Sequence, residues 1–288
     1  MSPPLAFVLN LDAELELEAG RRYQPRAEVA ARVLRLAREM RPTLPAGCVV
    51  IDPLGERAPP EAEALAWCPT PRALAAIARA GLAAPAAPGV EVLRRVNDRR
   101  FAAALDPGEL AGAAVLESEE AAREALARPG EWLLKRVLGV SGRGQRRVRG
   151  GEPSEADLAF VRASLEKSGA LVIEPRVVIE RELSVHAWAT ALGPHVRSMR
   201  AQHVDAFGAF LGSRHADDLS PAIATELAGA AARVGAALRE AGYAGPFGVD
   251  AYLHRGDGSA PLTLRSLSEI NARFCMGWDE HDGWRPPA

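Results

Sequence analysis

The chain has 288 residues, of which 48% are hydrophobic and 25% are charged, with a net charge of −2 and a pI near 6.3. This balance is typical of a globular protein and excludes broad electrostatic attraction to nucleic acid or to an anionic membrane surface. No apolar run approaches the roughly eighteen residues of a membrane-spanning helix. We therefore expect neither a nucleic-acid partner nor a membrane partner.

The cysteines and the N-terminus both favour a cytoplasmic location. The chain has three cysteines, an odd number: Cys48, Cys68 and Cys275. None of them falls in a CxxC or Cys/His metal spacing. The first residues lack the basic segment and cleavable apolar core of a secretion signal. A reducing, cytoplasmic setting is therefore expected.

Short apolar runs alternate with amphipathic stretches at the start of the chain. Strands are predicted at 5–10, 47–52 and 64–68, and helices at 26–40 and 71–81. This alternation predicts an α/β unit over residues 1–89, which ends in an Ala-, Pro- and Gly-rich linker.

A second unit is predicted over residues 90–175. Its predicted helices are 90–105, 118–127 and 154–169, and its predicted strands are 113–116, 131–138 and 170–175. Ser154 with Asp157 is typical of a capped helix start, and Gly169 is typical of a helix end.

A third predicted unit, residues 176–288, is richer in strands. Strands are predicted at 180–192 and 195–204, and the longest helix is predicted at 220–242. The runs 245–253 and 261–274 predict a hairpin around a turn-forming segment.

Lys135 ends an apolar strand just before the glycine-rich loop 139–151, in a chain with only two lysines. Loop glycines leave backbone amides free to close over phosphates, and a lysine can neutralise phosphate oxygens. The alternative is a solvated strand end that leads into a hairpin loop.

Two carboxylates, Glu174 and Glu182, bracket an extended segment. Its backbone groups could pair with an adenine edge, and Glu182 could accept hydrogen bonds from ribose hydroxyls. The alternative is a pair of exposed acids beside a buried strand.

The predicted hairpin carries oxygen-bearing side chains. Glu269, Asn271 and Arg273 share one face of a strand because side chains two residues apart point the same way. Asp250 on the partner strand can face the same side, and such oxygens suit Mg²⁺. The alternative is a buried Glu–Arg ion pair. Nearby, Arg197 and Arg200 could face an anionic substrate or the terminal phosphate.

The order of these features resembles that of the ATP-grasp superfamily, from VNDRR at 96–100 to about Trp278. The resemblance implies an α/β ATP-grasp fold, with two α+β lobes gripping ATP behind a smaller N-terminal α/β unit. It assigns the lobes to residues 90–175 and 176–288. EINAR is close to the family's terminal motif, which commonly has proline where Ala272 stands.

The resemblance also implies a nucleotide site. The residues that match the family's phosphate, adenine and ribose positions are Lys135, Ser141, Gly142, Gly144, Glu174, Arg176, Val177 and Glu182. Those that match its Mg²⁺ ligands are Asp250, Glu269 and Asn271. Many relatives carry a further lysine near NDRR, where this chain offers only Arg99 and Arg100, and we assign Arg100 to the nucleotide.

The implied activity is an ADP-forming ligase that activates a carboxylate as an acyl phosphate and joins it to an amine. Arg273 and Arg200 are then expected to stabilise the transferring phosphoryl group. Small-molecule or peptide substrates and a homodimer are further expectations. The alternatives are ligation to a non-amine nucleophile, carboxyl addition to a metabolite, or a nucleotide-binding module without turnover.

Overall fold

The N-terminal residues form a three-stranded parallel sheet of order β2–β1–β3. Its strands are β1 (Leu5–Val8), β2 (Val49–Asp52) and β3 (Glu63–Ala66), and its helices are α1 (Ala13–Ala19), α2 (Ala27–Met40) and α3 (Pro71–Arg79). The computed structural model describes residues 3–105, 110–139, 144–205, 210–256 and 260–287. All four residues of β1 are buried, which explains its uninterrupted apolar sequence.

A four-stranded antiparallel sheet follows, with the order β4–β7–β5–β6. It consists of β4 (Ala114–Leu116), β5 (Gly130–Arg136), β6 (Gln145–Gly150) and β7 (Leu171–Pro175), with helices α6 (Glu119–Ala127) and α7 (Glu155–Ser168). The capping box of α7 and its end at Gly169 are confirmed. β6 was not predicted, because only Val148 in this arginine-rich edge strand is buried and no apolar alternation results.

The helix predicted at 90–105 is two helices, α4 (Val90–Val96) and α5 (Arg99–Leu105). Polar side chains cause the break. Asn97 donates from Nδ2 to the Leu93 carbonyl, and the Asp98 carboxylate accepts from the Arg100 backbone N–H at 2.8 Å. Such side-chain bonds satisfy the groups that a helix end leaves unpaired.

The remaining strands form a five-stranded antiparallel sheet of order β10–β9–β8–β11–β12. Its elements are β8 (Val178–Thr190), β9 (Gly193–Val204), β10 (Phe210–His215), α8 (Pro221–Glu240), β11 (Gly245–Arg255) and β12 (Thr263–Asn271). The predicted hairpin is confirmed as β11–β12. Among the described residues, no helix is long and apolar enough to cross a membrane.

The N-terminal sheet and the five-stranded sheet share one hydrophobic core, whereas the four-stranded sheet has its own. Phe7 packs edge-on against Trp284 at 5.2 Å between ring centroids, and the Phe274 backbone N–H donates to the Trp67 carbonyl. Each predicted unit thus holds one sheet. The boundaries at residues 89 and 175 stay a prediction.

Two glycines of α8 test this packing. A Cβ at Gly235 would lie 2.4 Å from the Pro194 Cβ and 3.2 Å from the Phe247 ring. Gly235→Ala should therefore lower the free energy of unfolding by about 1–3 kcal/mol, measured by urea denaturation.

Gly229→Ala is the matched control in the same helix. Its nearest neighbour would be the Arg233 guanidinium at 3.8 Å, so the better helix propensity of alanine should stabilise the protein by about 0.5–1 kcal/mol. Equal effects of the two substitutions would contradict the packing of α8 on β9 and β11.

Candidate active site

A cleft of about 1250 Å³ lies between the four-stranded and five-stranded sheets. Lys135 lines it from β5, and Glu182, Asp250 and Glu269 line it from β8, β11 and β12. Its volume exceeds the roughly 300–1,000 Å³ of a small-molecule pocket. The cleft therefore has room for a nucleotide and a second substrate together.

Lys135 and Glu174 are buried neighbours on the adjacent strands β5 and β7. The Lys135 ammonium lies 2.5 Å from Glu174, and the Arg265 guanidinium lies 2.8 Å from the other oxygen of that carboxylate. Arg265 also donates to the Tyr252 hydroxyl. Two cations face one carboxylate, so this cluster of three side chains carries a net positive charge.

Burial alone would raise the pKa of Glu174, because it removes water from the carboxylate. The charges of Lys135 and Arg265 outweigh burial and lower this pKa to about 2. Glu174 is thus a fixed anion that orients Lys135, and the nucleotide contact predicted for it stays a prediction.

Glu182 shows the opposite behaviour. It lies on β8 between Gln202 and Tyr252 of the neighbouring strands. Burial and the nearby charge of Asp250 raise its pKa to about 7, although Lys135 acts against them. Near neutral pH this carboxyl can therefore either donate or accept a hydrogen bond toward the cleft.

The segment Arg176–Val177 joins β7 to β8 and so passes from one sheet to the other. Both residues line the cleft, and Arg176 is exposed. The Arg176 backbone N–H donates to the Glu131 carbonyl at 2.8 Å, which ties this connection to β5.

The predicted metal ligands meet on the β11–β12 hairpin. Asp250 pairs in register with Glu269, and the Asn271 amide donates to Asp250 at 2.9 Å. Gln202 donates to the other Asp250 oxygen at 3.1 Å. Burial, and then the charge of Glu269, raises the pKa of Asp250, because both disfavour its ionised form.

These side chains suit Mg²⁺ by their donor chemistry, because carboxylate and amide oxygens are the ligands that this ion prefers. Within the described ranges, no group of three His, Cys, Asp or Glu residues is arranged to hold a metal. The candidate site therefore depends on the amide oxygen of Asn271 as its third protein ligand.

Glu269 already has a cationic partner. Nη2 of Arg99 lies 2.8 Å from both Glu269 oxygens, and Nη1 donates to the Arg136 carbonyl. The alternative of a buried Glu–Arg pair is thus present, but Arg99 supplies the arginine. Sequence reasoning could not identify this partner because 170 residues separate the pair.

Arg273 lines the cleft, and a residue of the N-terminal unit holds it in place. It forms an ion pair with Glu14 of α1, and its Nη2 donates to the Asn271 amide oxygen at 2.9 Å. Nothing in the local sequence distinguishes Glu14 from the other acids in AELELEA. Arg273 therefore links the N-terminal unit to a candidate metal ligand.

Two predicted site residues lie elsewhere. Arg200 is not among the residues that line the cleft: it is buried against Asp279 at 2.5 Å and Asp282 at 2.9 Å. Arg100 pairs with Asp98 and also does not line the cleft. Their expected phosphate contacts do not fit these positions.

The predicted phosphate loop is only partly described. Ser141 and Gly142 lie outside the described residues. Gly144 has a φ of +77°, a left-handed conformation that favours glycine, and its carbonyl accepts from the Arg136 backbone N–H at 2.8 Å. Gly144 thus closes the β5–β6 hairpin, and its predicted nucleotide contact stays a prediction.

No protein-family model matches the chain, and no curated protein matches it. Solved structures do. N5-carboxyaminoimidazole synthetase from Staphylococcus aureus, complexed with ADP, is 11% identical, with a TM-score of 0.53 over 96% of this chain and 71% of that one. D-alanyl-alanine synthetase A from Vibrio cholerae is 15% identical, with a TM-score of 0.53 over 94% of this chain and 89% of that one.

Biotin carboxylase from Campylobacter jejuni, in a beta-gamma-ATP complex, is 17% identical, with a TM-score of 0.53 over 95% of this chain and 66% of that one. All three are ATP-grasp enzymes. The chain has the ATP-grasp fold. At these identities the likeness establishes the fold alone, and within this fold the cleft is the space between the two lobes.

The Lys135–Glu174–Arg265 cluster predicts acid sensitivity. The folded-state pKa of Glu174 is about 2, below its ordinary 4.5, so its contribution to stability is present above pH 4.5 and is lost as pH falls toward 2. Glu174→Gln should cost about 3 kcal/mol at pH 7, and this difference should shrink below pH 4.5. Urea denaturation at several pH values measures both.

Glu180→Gln is the control, because the pair that Glu180 forms with Arg255 is exposed. It should cost less than about 1 kcal/mol. A deficit of Glu174→Gln that stays constant down to pH 2 would refute the assigned charge.

Proposed function

We propose that this chain is an ATP-dependent, ADP-forming ligase that activates a carboxylate as an acyl phosphate and joins it to an amine. One observation carries the proposal: cationic side chains and a Mg²⁺-type oxygen set face each other across one cleft. The fold supports it, since two of the compared ATP-grasp structures were solved with ADP or with beta-gamma-ATP.

In this proposal, the adenine end lies at the lobe connection and the triphosphate lies toward Lys135. The connection Arg176–Val177 would border the base, and Glu182 would accept from ribose hydroxyls. Lys135, held by Glu174, would neutralise phosphate oxygens. Asp250, Glu269 and Asn271 would hold Mg²⁺, which supplies charge neutralisation when bound.

The reaction joins two groups through one activated intermediate. An oxygen of the substrate carboxylate attacks the γ-phosphorus, and the bond from that phosphorus to the ADP oxygen breaks. The amine nitrogen then attacks the acyl carbon, inorganic phosphate leaves, and the nitrogen gives up a proton. Donor and acceptor are both anions, so positioning and charge neutralisation are the main contributions of the protein.

Arg273 would serve the acyl phosphate end of the cleft. Its contacts with Glu14 and Asn271 fix it beside the candidate metal ligands, where a guanidinium can neutralise phosphoryl charge. We propose no such role for Arg200.

Carboxyl addition to a metabolite is the second candidate. It is favoured by the names of two compared structures, a biotin carboxylase and a carboxyaminoimidazole synthetase. A bicarbonate-dependent release of ADP would distinguish it from amide formation.

We also propose three units, at residues 1–89, 90–175 and 176–288, and a cytoplasmic setting. Buried, unpaired thiols at Cys48, Cys68 and Cys275 support the reducing environment. The homodimer expected from the resemblance stays a prediction.

The direct test is ADP release from Mg²⁺-ATP against a panel of amino acids, small carboxylates and bicarbonate. Turnover should require two co-substrates together. Glu269→Ala should reduce it at least about a hundredfold while leaving the circular dichroism spectrum unchanged, because one oxyanion-stabilising contact is typically worth that much. ATP binding without ADP release under every condition would instead indicate a nucleotide-binding module.

The two lysines provide a matched pair for nucleotide affinity. Lys135→Ala should weaken ATP binding at least about tenfold, the effect of losing one charge-assisted contact. Lys167→Ala should leave it unchanged, because Lys167 is exposed and pairs with Glu18 of the N-terminal unit. The affinities are measured by calorimetry. Equal ATP affinities for the two variants would show that Lys135 does not contact the phosphates.

A further inference from the structure

Arg99 occupies an unusual position at the candidate metal site. A single nitrogen, Nη2, lies 2.8 Å from Oε1 and 2.8 Å from Oε2 of Glu269. A cation held by both oxygens of one carboxylate takes this same position. The guanidinium therefore stands where Glu269 would otherwise chelate a metal ion.

The remaining contacts fix Arg99 between the lobes. Its backbone N–H donates to the Val137 carbonyl at 2.9 Å, and Nη1 donates to the Arg136 carbonyl at the end of β5. Through Glu269 the same side chain reaches β12 of the second lobe. Arg99 is only 8% exposed, so its charge depends on Glu269 for compensation.

One donor of this guanidinium has no partner. Nε of Arg99 is buried and makes no hydrogen bond within the part of the chain that the structure describes. A buried donor without an acceptor costs about 1–3 kcal/mol. An anion that arrived beside Arg99 could satisfy this donor and also replace the charge of Glu269.

We propose that Arg99 is a resident cation that occupies the metal site when no nucleotide is bound, and that it exchanges Glu269 for a nucleotide phosphate. This inference rests on the proposed nucleotide site. Arg99 cannot leave Glu269 without another anion, since its burial would then leave an uncompensated charge. Glu269 therefore becomes available to a metal ion only when Arg99 has moved to a phosphate.

The consequence is weak metal binding by the nucleotide-free protein. We test it by titrating Mn²⁺ into the full chain without nucleotide and following free Mn²⁺ by electron paramagnetic resonance. Arg99→Met should bind Mn²⁺ at least about tenfold more tightly than the wild type, within the range typical of coupled sites. Adding Glu269→Gln to this variant should reverse the gain.

Arg100→Met is the matched control, because Arg100 is on the same helix but pairs with Asp98 outside the cleft. It should bind Mn²⁺ as the wild type does. Arg99→Gln, which removes the charge but keeps a polar side chain, should show the same gain as Arg99→Met if the latter does not fold. Affinities within twofold of the wild type for folded Arg99 variants would overturn the proposal.

A second titration separates this inference from the proposed function. ADP is titrated in the presence of EDTA, so that no metal contributes. Wild-type protein should bind ADP, and Arg99→Met should bind it at least about tenfold more weakly because one cation is lost. Absence of ADP binding by the wild type overturns the nucleotide site itself. Wild-type binding with unchanged affinity in Arg99→Met overturns only the exchange.

Discussion

The cleft depends on one constraint: a charge taken out of water must face an opposite charge. Lys135, Arg99 and Arg273 all reach the cleft, and they lie against Glu174, Glu269 and Glu14 respectively. Removing one partner from such a buried pair typically costs 3–5 kcal/mol, because the other charge is left uncompensated. The protein therefore supplies its own counterions for these cations.

These pairs also connect the parts of the molecule. Glu14 lies on the N-terminal helix α1, whereas Arg273 lies two residues after the end of strand β12. Arg99 contacts the end of β5 and, through Glu269, β12. A nucleotide bound as proposed would compete for Arg99, whose contacts with Arg136 and Glu269 join the two lobes. In that proposal, nucleotide binding would be coupled to the arrangement of the lobes.

Local hydrophobic patterns in the sequence predict most of the secondary structure. Uninterrupted apolar runs and amphipathic stretches indicate most strands and helices, and the spacing in LSEINAR places Glu269 and Asn271 on one face. The register of Asp250 opposite Glu269 confirms that the hairpin brings these oxygens together. The elements that were missed have little such pattern, as the arginine-rich β6 illustrates.

Pairings between distant residues could not be predicted. Nothing local distinguishes Arg99 from Arg100, yet only the former lines the cleft, because the Asp98 carboxylate holds the latter outside it. Arg200 has the residue type of a phosphate ligand, but the aspartates of the C-terminal segment bury it. Arg265, four residues before Glu269 on β12, was not predicted either, because the register of β11 and β12 shifts between these two residues.

We propose that Lys135 of one lobe and the oxygen ligands of the other converge on the same triphosphate. A crystal structure of the chain with ADP and Mn²⁺ tests it most directly. We predict phosphate oxygens within hydrogen-bonding distance of the Lys135 ammonium and anomalous metal density beside Asp250, Glu269 and Asn271. A nucleotide bound outside the cleft, or metal density away from these three side chains, would contradict the account.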